Sequence, residues 1–126
     1  MRVLLLPLLA IACVASGCNS ETSPGASLQD VKVIGSGADS GGEFCSDFRL
    51  DADGAREFFE RAVAVNATTI HDQFNTLPCY VRGTGTWQGT QATWTIRAGG
   101  TAQIDTATTN VLIACSDCDD LLGGQE

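Results

Sequence analysis

The stretch 91-QATWTIRAGGTAQIDT-106 decides how this chain folds. From Gln91 to Arg97 apolar and polar residues alternate, with Ala92, Trp94 and Ile96 on one side. A period of two is the signature of a strand with one buried face. Ala98-Gly99-Gly100 interrupts the pattern and Thr101–Thr106 resumes it. If the loop has these three residues, Ile96 stands opposite Ala102 and Trp94 opposite Ile104. The apolar faces then coincide, and that coincidence is what sets register in a hairpin, because a slip of one residue would turn every apolar side chain to water.

Working outward, a turn around Gln88-Gly89-Thr90 joins this hairpin to a strand over Cys79–Trp87. On the other side Ala107-Thr108-Thr109 turns the chain into Asn110–Cys115, a near-continuous apolar run suited to a central strand covered on both faces. Trp87 and Trp94 fall on adjacent strands, expected as diagonal neighbours in the core, with an aromatic binding patch as the alternative. Upstream, Asp51–Val65 reads as a helix. Ala55, Phe58, Phe59, Ala62 and Val63 form one apolar stripe, and Arg56, Glu57, Glu60 and Arg61 lie opposite. Glu57 and Arg61 have the favourable i, i+4 spacing, and Asp51 or Asp53 can cap the first turn. Residues 66–78 read as an irregular connection with room for one more helical turn, and Phe44–Leu50 as a strand ahead of the helix. The expected fold class is α+β: one amphipathic helix packed on a small, mainly antiparallel sheet, in the order strand–helix–four-strand meander, stabilised by disulfides.

That compact domain spans residues 43–122, with a tail at 123–126. Residues 18–42 are rich in Ser, Gly, Ala and Asp and read as a flexible tether, with Val31–Ile34 as its one apolar island and a candidate short edge strand. Residues 1–17 have the anatomy of a secretory signal: Arg2, a run of apolar residues, then Ala15-Ser16-Gly17 before Cys18. The run falls short of the roughly 20 residues that a membrane-spanning helix needs.

Val14-Ala15-Ser16-Gly17-Cys18 resembles the lipobox of bacterial lipoproteins. The resemblance covers the first 18–20 residues, and Ala15 departs from the Leu or Val usual at its position. It implies cleavage by signal peptidase II before Cys18 and acylation of that residue. Several acyl chains make a lasting anchor where one is marginal. By resemblance to the sorting pattern of such lipoproteins, Asn19, a residue other than Asp after the lipidated Cys, permits export to the outer membrane, where the expected location is the side facing the periplasm.

The chain carries 15 acidic against 7 basic residues, a net −8, and loss of Arg2 with the signal makes the mature chain −9. Such a balance disfavours nucleic acid, whose phosphates are bound by Lys and Arg. A basic protein partner or a cation is easier to accommodate.

Cys13 leaves with the signal and Cys18 takes lipid, so Cys45, Cys79, Cys115 and Cys118 remain. An antiparallel meander puts the start of its first strand and the end of its fourth at one end of the sheet, where Cys79, Cys115 and Cys118 would meet. Cys45 joins them if its strand runs parallel to the Cys79 strand through a right-handed crossover. Three chemistries suit such a cluster. Two structural disulfides fit an exported domain of this size with an even cysteine count. The favoured pairing joins Cys45 and Cys79 each to one of Cys115 and Cys118, because a bridge within Cys-x-x-Cys closes a very small loop. A four-cysteine zinc site would normally show two short-spaced knuckles, and only Cys115-x-x-Cys118 is one. A thiol–disulfide exchange site, similar to the thioredoxin-like pattern, needs a helix after Cys-x-x-Cys. Here Ala114 and Asp117 replace its usual aromatic and Pro, and Asp117, Asp119 and Asp120 crowd the sulfurs.

Other candidates are weaker. Asp51-Ala-Asp53-Gly54 fails as a calcium loop, because Arg56 and Ala62 stand where its Gly and Glu belong. His71 beside Asp72 is the one histidine and has no catalytic constellation around it. No phosphate-binding glycine loop or serine-nucleophile elbow is present. The expectation is a membrane-anchored envelope lipoprotein with a non-enzymatic binding or structural domain and no cofactor beyond the covalent lipid on Cys18. The alternatives are a thiol–disulfide oxidoreductase using Cys115 and Cys118, or an inhibitor of a basic envelope enzyme.

Overall fold

The computed structural model of the chain describes residues 28–39, 45 and 47–123. The signal segment with its lipobox, Cys18, the tether residues ahead of Leu28, Phe44 and Ser46, and the tail beyond Gly123 lie outside the described residues.

The expected hairpin is present: β4 (Thr90–Arg97) pairs antiparallel with β5 (Thr101–Asp105). Its register sets Ile96 against Ala102 and Trp94 against Ile104, as the alternation requires. β3 (Cys79–Trp87) enters β4 through Gln88-Gly89, both with positive φ (52° and 77°). That is the backbone of a two-residue primed turn, whose twist matches the strands it joins. β6 (Asn110–Ala114) completes the meander beside β5.

Two more strands extend the sheet, β1 (Leu28–Ala38) beside β3 and β2 (Val63–Val65) beside β6, giving the order β1-β3-β4-β5-β6-β2 with every pair antiparallel. β2 was not expected, while β1 contains the expected Val31–Ile34 edge strand and runs longer than it. β1 lies inside the stretch read as tether. Its buried residues Leu28 and Val31 are three apart, which breaks the period of two. The break is a bulge: register shifts between Gln29 and Lys32, where Asp30 has φ 54°, so both apolar side chains turn inward. The first strand is therefore antiparallel to β3 and precedes Cys45. Cys45 and Asp47–Leu50 form no strand, although Phe48 and Leu50 still enter the core.

α1 (Ala52–Arg61) begins where Asp51 Oδ1 accepts the Gly54 amide at 2.8 Å. It ends four residues before the expected Val65. Ala62 is extended, and Val63–Val65, two of them β-branched, add to the free side of β6 instead, leaving Val63 half-exposed. α2 (Ala67–Gln73) is a full short helix in the connection, capped by Asn66 Oδ1 on the Thr69 amide at 2.8 Å. α3 (Asp119–Leu122) closes the described chain and is stopped by Gly123 at φ 73°.

The core lies between α1 and one face of the sheet. Phe58 and Phe59 meet edge to face at 5.5 Å, and Phe59 meets Trp94 at 5.7 Å. Val81, Ala92, Ile96, Ile104 and Ile113 complete it. Trp94 lies opposite Gly83, where any Cβ would collide with the indole and with the Lys32 carbonyl, and its Nε1 donates to the Thr84 carbonyl at 2.8 Å. Trp87 stands at the far end of the hairpin, opposite Thr90. The two tryptophans are thus not diagonal neighbours, though Trp87 does pack on the core's margin. β6 also differs from expectation. Ile113 and Ala114 are buried, but Asn110 is exposed and Leu112 only half-buried. The other face of the sheet presents Tyr80, Arg82, Thr84, Thr93, Thr95, Arg97 and Gln103, with the 66–78 connection lying over part of it.

Candidate functional site

The four described cysteines form two pairs, Cys45–Cys79 with Cα atoms 5.1 Å apart and Cys115–Cys118 with Cα atoms 5.7 Å apart. This corrects the expected pairing. Cys79 opens β3 and Cys115 follows β6, so both are at the same end of the sheet. β4 and β5 lie between them, however, and three interstrand spacings of about 4.8 Å amount to roughly 14 Å. A disulfide needs Cα atoms within roughly 7 Å. Sharing an end of the sheet is not sharing a place on it, and the four sulfurs do not converge into one cluster.

Cys115–Cys118 is the chemically richer pair. Gly100 O accepts the Cys115 amide at 2.9 Å, and Cys118 O accepts the amides of Leu121 and Leu122 at 2.9 and 3.1 Å. Both cysteines are buried, 5% and 1% exposed. Asp117 Oδ1 lies 3.3 Å from Cys115 Sγ, and these three side chains' ligand atoms fall within 4.8 Å of one another. Arg61, from the last turn of α1, clasps the corner. Its guanidinium donates to both Asp120 carboxylate oxygens at 2.8 and 3.0 Å, to the Asp117 carbonyl at 3.0 Å and to Glu57 at 2.6 Å. The bonds from Arg61 hold the Asp120 carboxyl below its ordinary range, and Asp120, then Glu57, raise Arg61 in return.

What this corner can do is limited by access. Exchange needs an attacking thiolate to reach a sulfur in line, yet both cysteines are covered and the nearest polar side chain is acidic. α3, at four residues, is a short helix behind Cys118. His71 is exposed on α2, its ring 3.1 Å from Asp72, and serves no cysteine. Asp51 caps α1 and Asp53 pairs with Arg56 at 2.7 Å, so the acids of the failed calcium loop have structural work.

A second feature escaped the sequence reading. Between α2 and the open face of β4, β5 and β6 lies a half-open cleft of about 260 Å³, lined by Ile70, Thr95, Arg97, Thr101, Gln103 and Leu112, among others. Arg97 is held at its edge. Its guanidinium lies 5.3 Å above the Tyr80 ring, Nη1 forms an ion pair with Asp39 at 3.0 Å, and Nη1 donates to the Leu77 carbonyl at 3.3 Å. The sequence signal for this face is the polar half of the Gln91–Arg97 alternation, Thr93, Thr95 and Arg97.

No known protein family matches the chain, nor does any curated protein or solved structure. Among the described residues no helix is long and apolar enough to cross a membrane.

Proposed function

We propose that the chain is a lipid-anchored protein of the bacterial envelope whose disulfide-braced domain binds and does not catalyse. Cys18 is the anchor, and Asn19 directs the mature protein to the outer membrane. One observation carries the binding reading: Cys115 and Cys118, on which any enzymatic reading rests, are buried in a bond with Asp117 beside it. The open polar sheet face leaves surface for a ligand. Nucleic acid is not a partner of so acidic a chain.

Mass spectrometry of the unreduced mature protein tests the anchor and the disulfides together: acyl mass on Cys18 and linkages 45–79 and 115–118 are expected. Membrane retention of Cys18→Ser would overturn the anchor. Catalysed reduction of a disulfide substrate that disappears in Cys115→Ser would overturn the binding reading.

A basic protein partner, such as an envelope enzyme that the domain inhibits, is a second reading. It is favoured by Glu60, Asp117 and Asp119, exposed acids around α1 and α3 that make no ion pair among the described residues. Pull-down from an envelope extract with the soluble domain tests it; recovery of no basic protein counts against it.

A further inference from the structure

We infer that the cleft between α2 and the open sheet face binds a carboxylate-bearing sugar, a uronic-acid-type unit. This deepens the binding reading and rests on it.

Thr101 points to a ligand. It is the one buried polar residue among the described ones, 6% exposed, and it lines the cleft. Its hydroxyl makes no hydrogen bond to any described residue. Buried hydroxyls are normally satisfied because leaving one unpaired is costly, so the cleft holds a polar position that wants a partner.

The surrounding groups define what that partner is. Gln103 Nε2 donates to both Asp105 carboxylate oxygens at 3.0 and 3.2 Å, which fixes the amide and leaves Oε1 to accept from a ligand hydroxyl. Thr95 and Thr76 add two hydroxyls that can donate or accept. Ile70 and Leu112 supply apolar walls suited to the C–H face of a ring. Arg97 commits Nη1 to Asp39 and Leu77, while its remaining N–H groups have no partner among the described residues. The planar guanidinium, braced on Tyr80, suits a carboxylate.

Charge agrees with an anionic ligand. Arg82 stands opposite Thr95 and Lys32 opposite Thr84, so with Arg97 they form a line of cations on the open face. Neither Arg82 nor Lys32 makes an ion pair among the described residues. Of the acids beside these cations, Asp39 is paired with Arg97, Asp105 accepts from Gln103 and Asn110, and Asp30, which shares a hollow with Lys32, accepts from the Thr86 hydroxyl. Among the described residues no acid lines the cleft, so the ammonium of a free amino acid finds no counter-charge among them. An anion with neutral hydroxyls fits better. The volume is below the ~300–1,000 Å³ of drug-sized sites and suits one ring.

The test is titration of the mature, disulfide-intact protein with glucuronate, glucose, alanine and a glucuronate oligomer, followed by NMR chemical shifts. Glucuronate should bind saturably, weakly for a single ring (about 1 mM), and shift Thr95, Thr101 and Gln103. The oligomer binding more tightly than the monomer identifies a glycan chain as the source; equal affinity identifies the free sugar acid. Arg97→Gln should weaken binding roughly tenfold or more. Thr101→Val, which keeps the shape and removes the hydroxyl, should also weaken binding while melting at the wild-type temperature or above. Glucose or alanine binding as well as glucuronate, shifts confined to residues outside the cleft, or unchanged affinity in Thr101→Val would overturn the assignment. None of these results touches the broader reading, which falls only to the disulfide-reduction assay above.

Discussion

Cys45–Cys79 and Cys115–Cys118 are the same bond put to different mechanical use. The first joins residues 34 apart and encloses α1, β2 and α2, the whole excursion from the segment before the helix to the start of the meander. The second joins residues 3 apart at one corner, where β6 gives way to α3. In the chain-entropy account a disulfide stabilises by restricting the unfolded chain, so the length of the closed loop decides its worth. The long loop removes many unfolded arrangements and the short one removes few. What the short bond has instead is company: burial, Asp117 beside its sulfur, and the Arg61 clasp on Asp120.

The largest expected effect breaks this comparison most directly. Cys45→Ala/Cys79→Ala should lose about 4 kcal/mol of unfolding free energy, and Cys115→Ala/Cys118→Ala about 2 kcal/mol, both read by urea denaturation. A domain of this size has roughly 5–10 kcal/mol in all, so the first variant should keep only about 1–6 kcal/mol. Equal losses, or a larger loss at the short loop, would show that local packing and not loop entropy sets the value of these bonds.

Access sharpens the contrast by a different route. Cys79, Cys115 and Cys118 are buried, whereas Cys45 is half-exposed. A thiolate reductant can approach Cys45, while at the other bond it meets two covered cysteines and an acidic neighbour. Limited reduction of the native protein, with alkylation and peptide mapping, should therefore label Cys45 and Cys79 first. Earlier labelling of Cys115 and Cys118 would restore the exchange-site reading.

The same two regions explain what the sequence could and could not disclose. The β4–β5 register was legible because alternation and turn length are independent constraints that agreed at Trp94/Ile104 and Ile96/Ala102. The buried stripe of α1 was legible through Phe58 and Phe59, but not its end, because Val63 continues the helical period and yet opens β2. Val31–Ile34 marked β1 as an edge strand, but its start at Leu28 was hidden by one bulge at Asp30, which turns a three-residue spacing into two inward side chains. The disulfide pairing was hidden because strand direction gives the end of the sheet and not the lateral position. The cleft was the least visible: its floor is the polar half of an alternating pattern and its roof is a helix with no apolar stripe. Thr101 stands out only once Ile70 and its neighbours lie over it.

The Arg61 clasp should be worth least, because its carboxylates are exposed and such pairs are screened. Arg61→Gln should leave global unfolding nearly unchanged. It should release α3, so that the amides of Leu121 and Leu122 exchange faster while those of β4 do not. A fall in protection across the whole sheet would mean that the corner supports the domain and not only itself. The pH dependence has a definite sign. Hydrogen bonds from Arg61 lower the Asp120 carboxyl in the folded state, so it binds its proton less readily there than in the unfolded chain. The stability it supplies is therefore complete above the ordinary carboxylate value, about 3.9, and is lost as pH falls through the lower folded value. Arg61, already raised, stays charged throughout and adds no transition of its own. Carboxyl-carbon NMR should find the Asp120 midpoint below that ordinary value in the wild type and returned toward it in Arg61→Gln. Since α3 loosens as Asp120 takes its proton, acid should free the Cys115–Cys118 corner while the region closed by Cys45–Cys79 stays folded. An Asp120 midpoint that ignores the loss of Arg61 would leave the short disulfide as the corner's sole restraint.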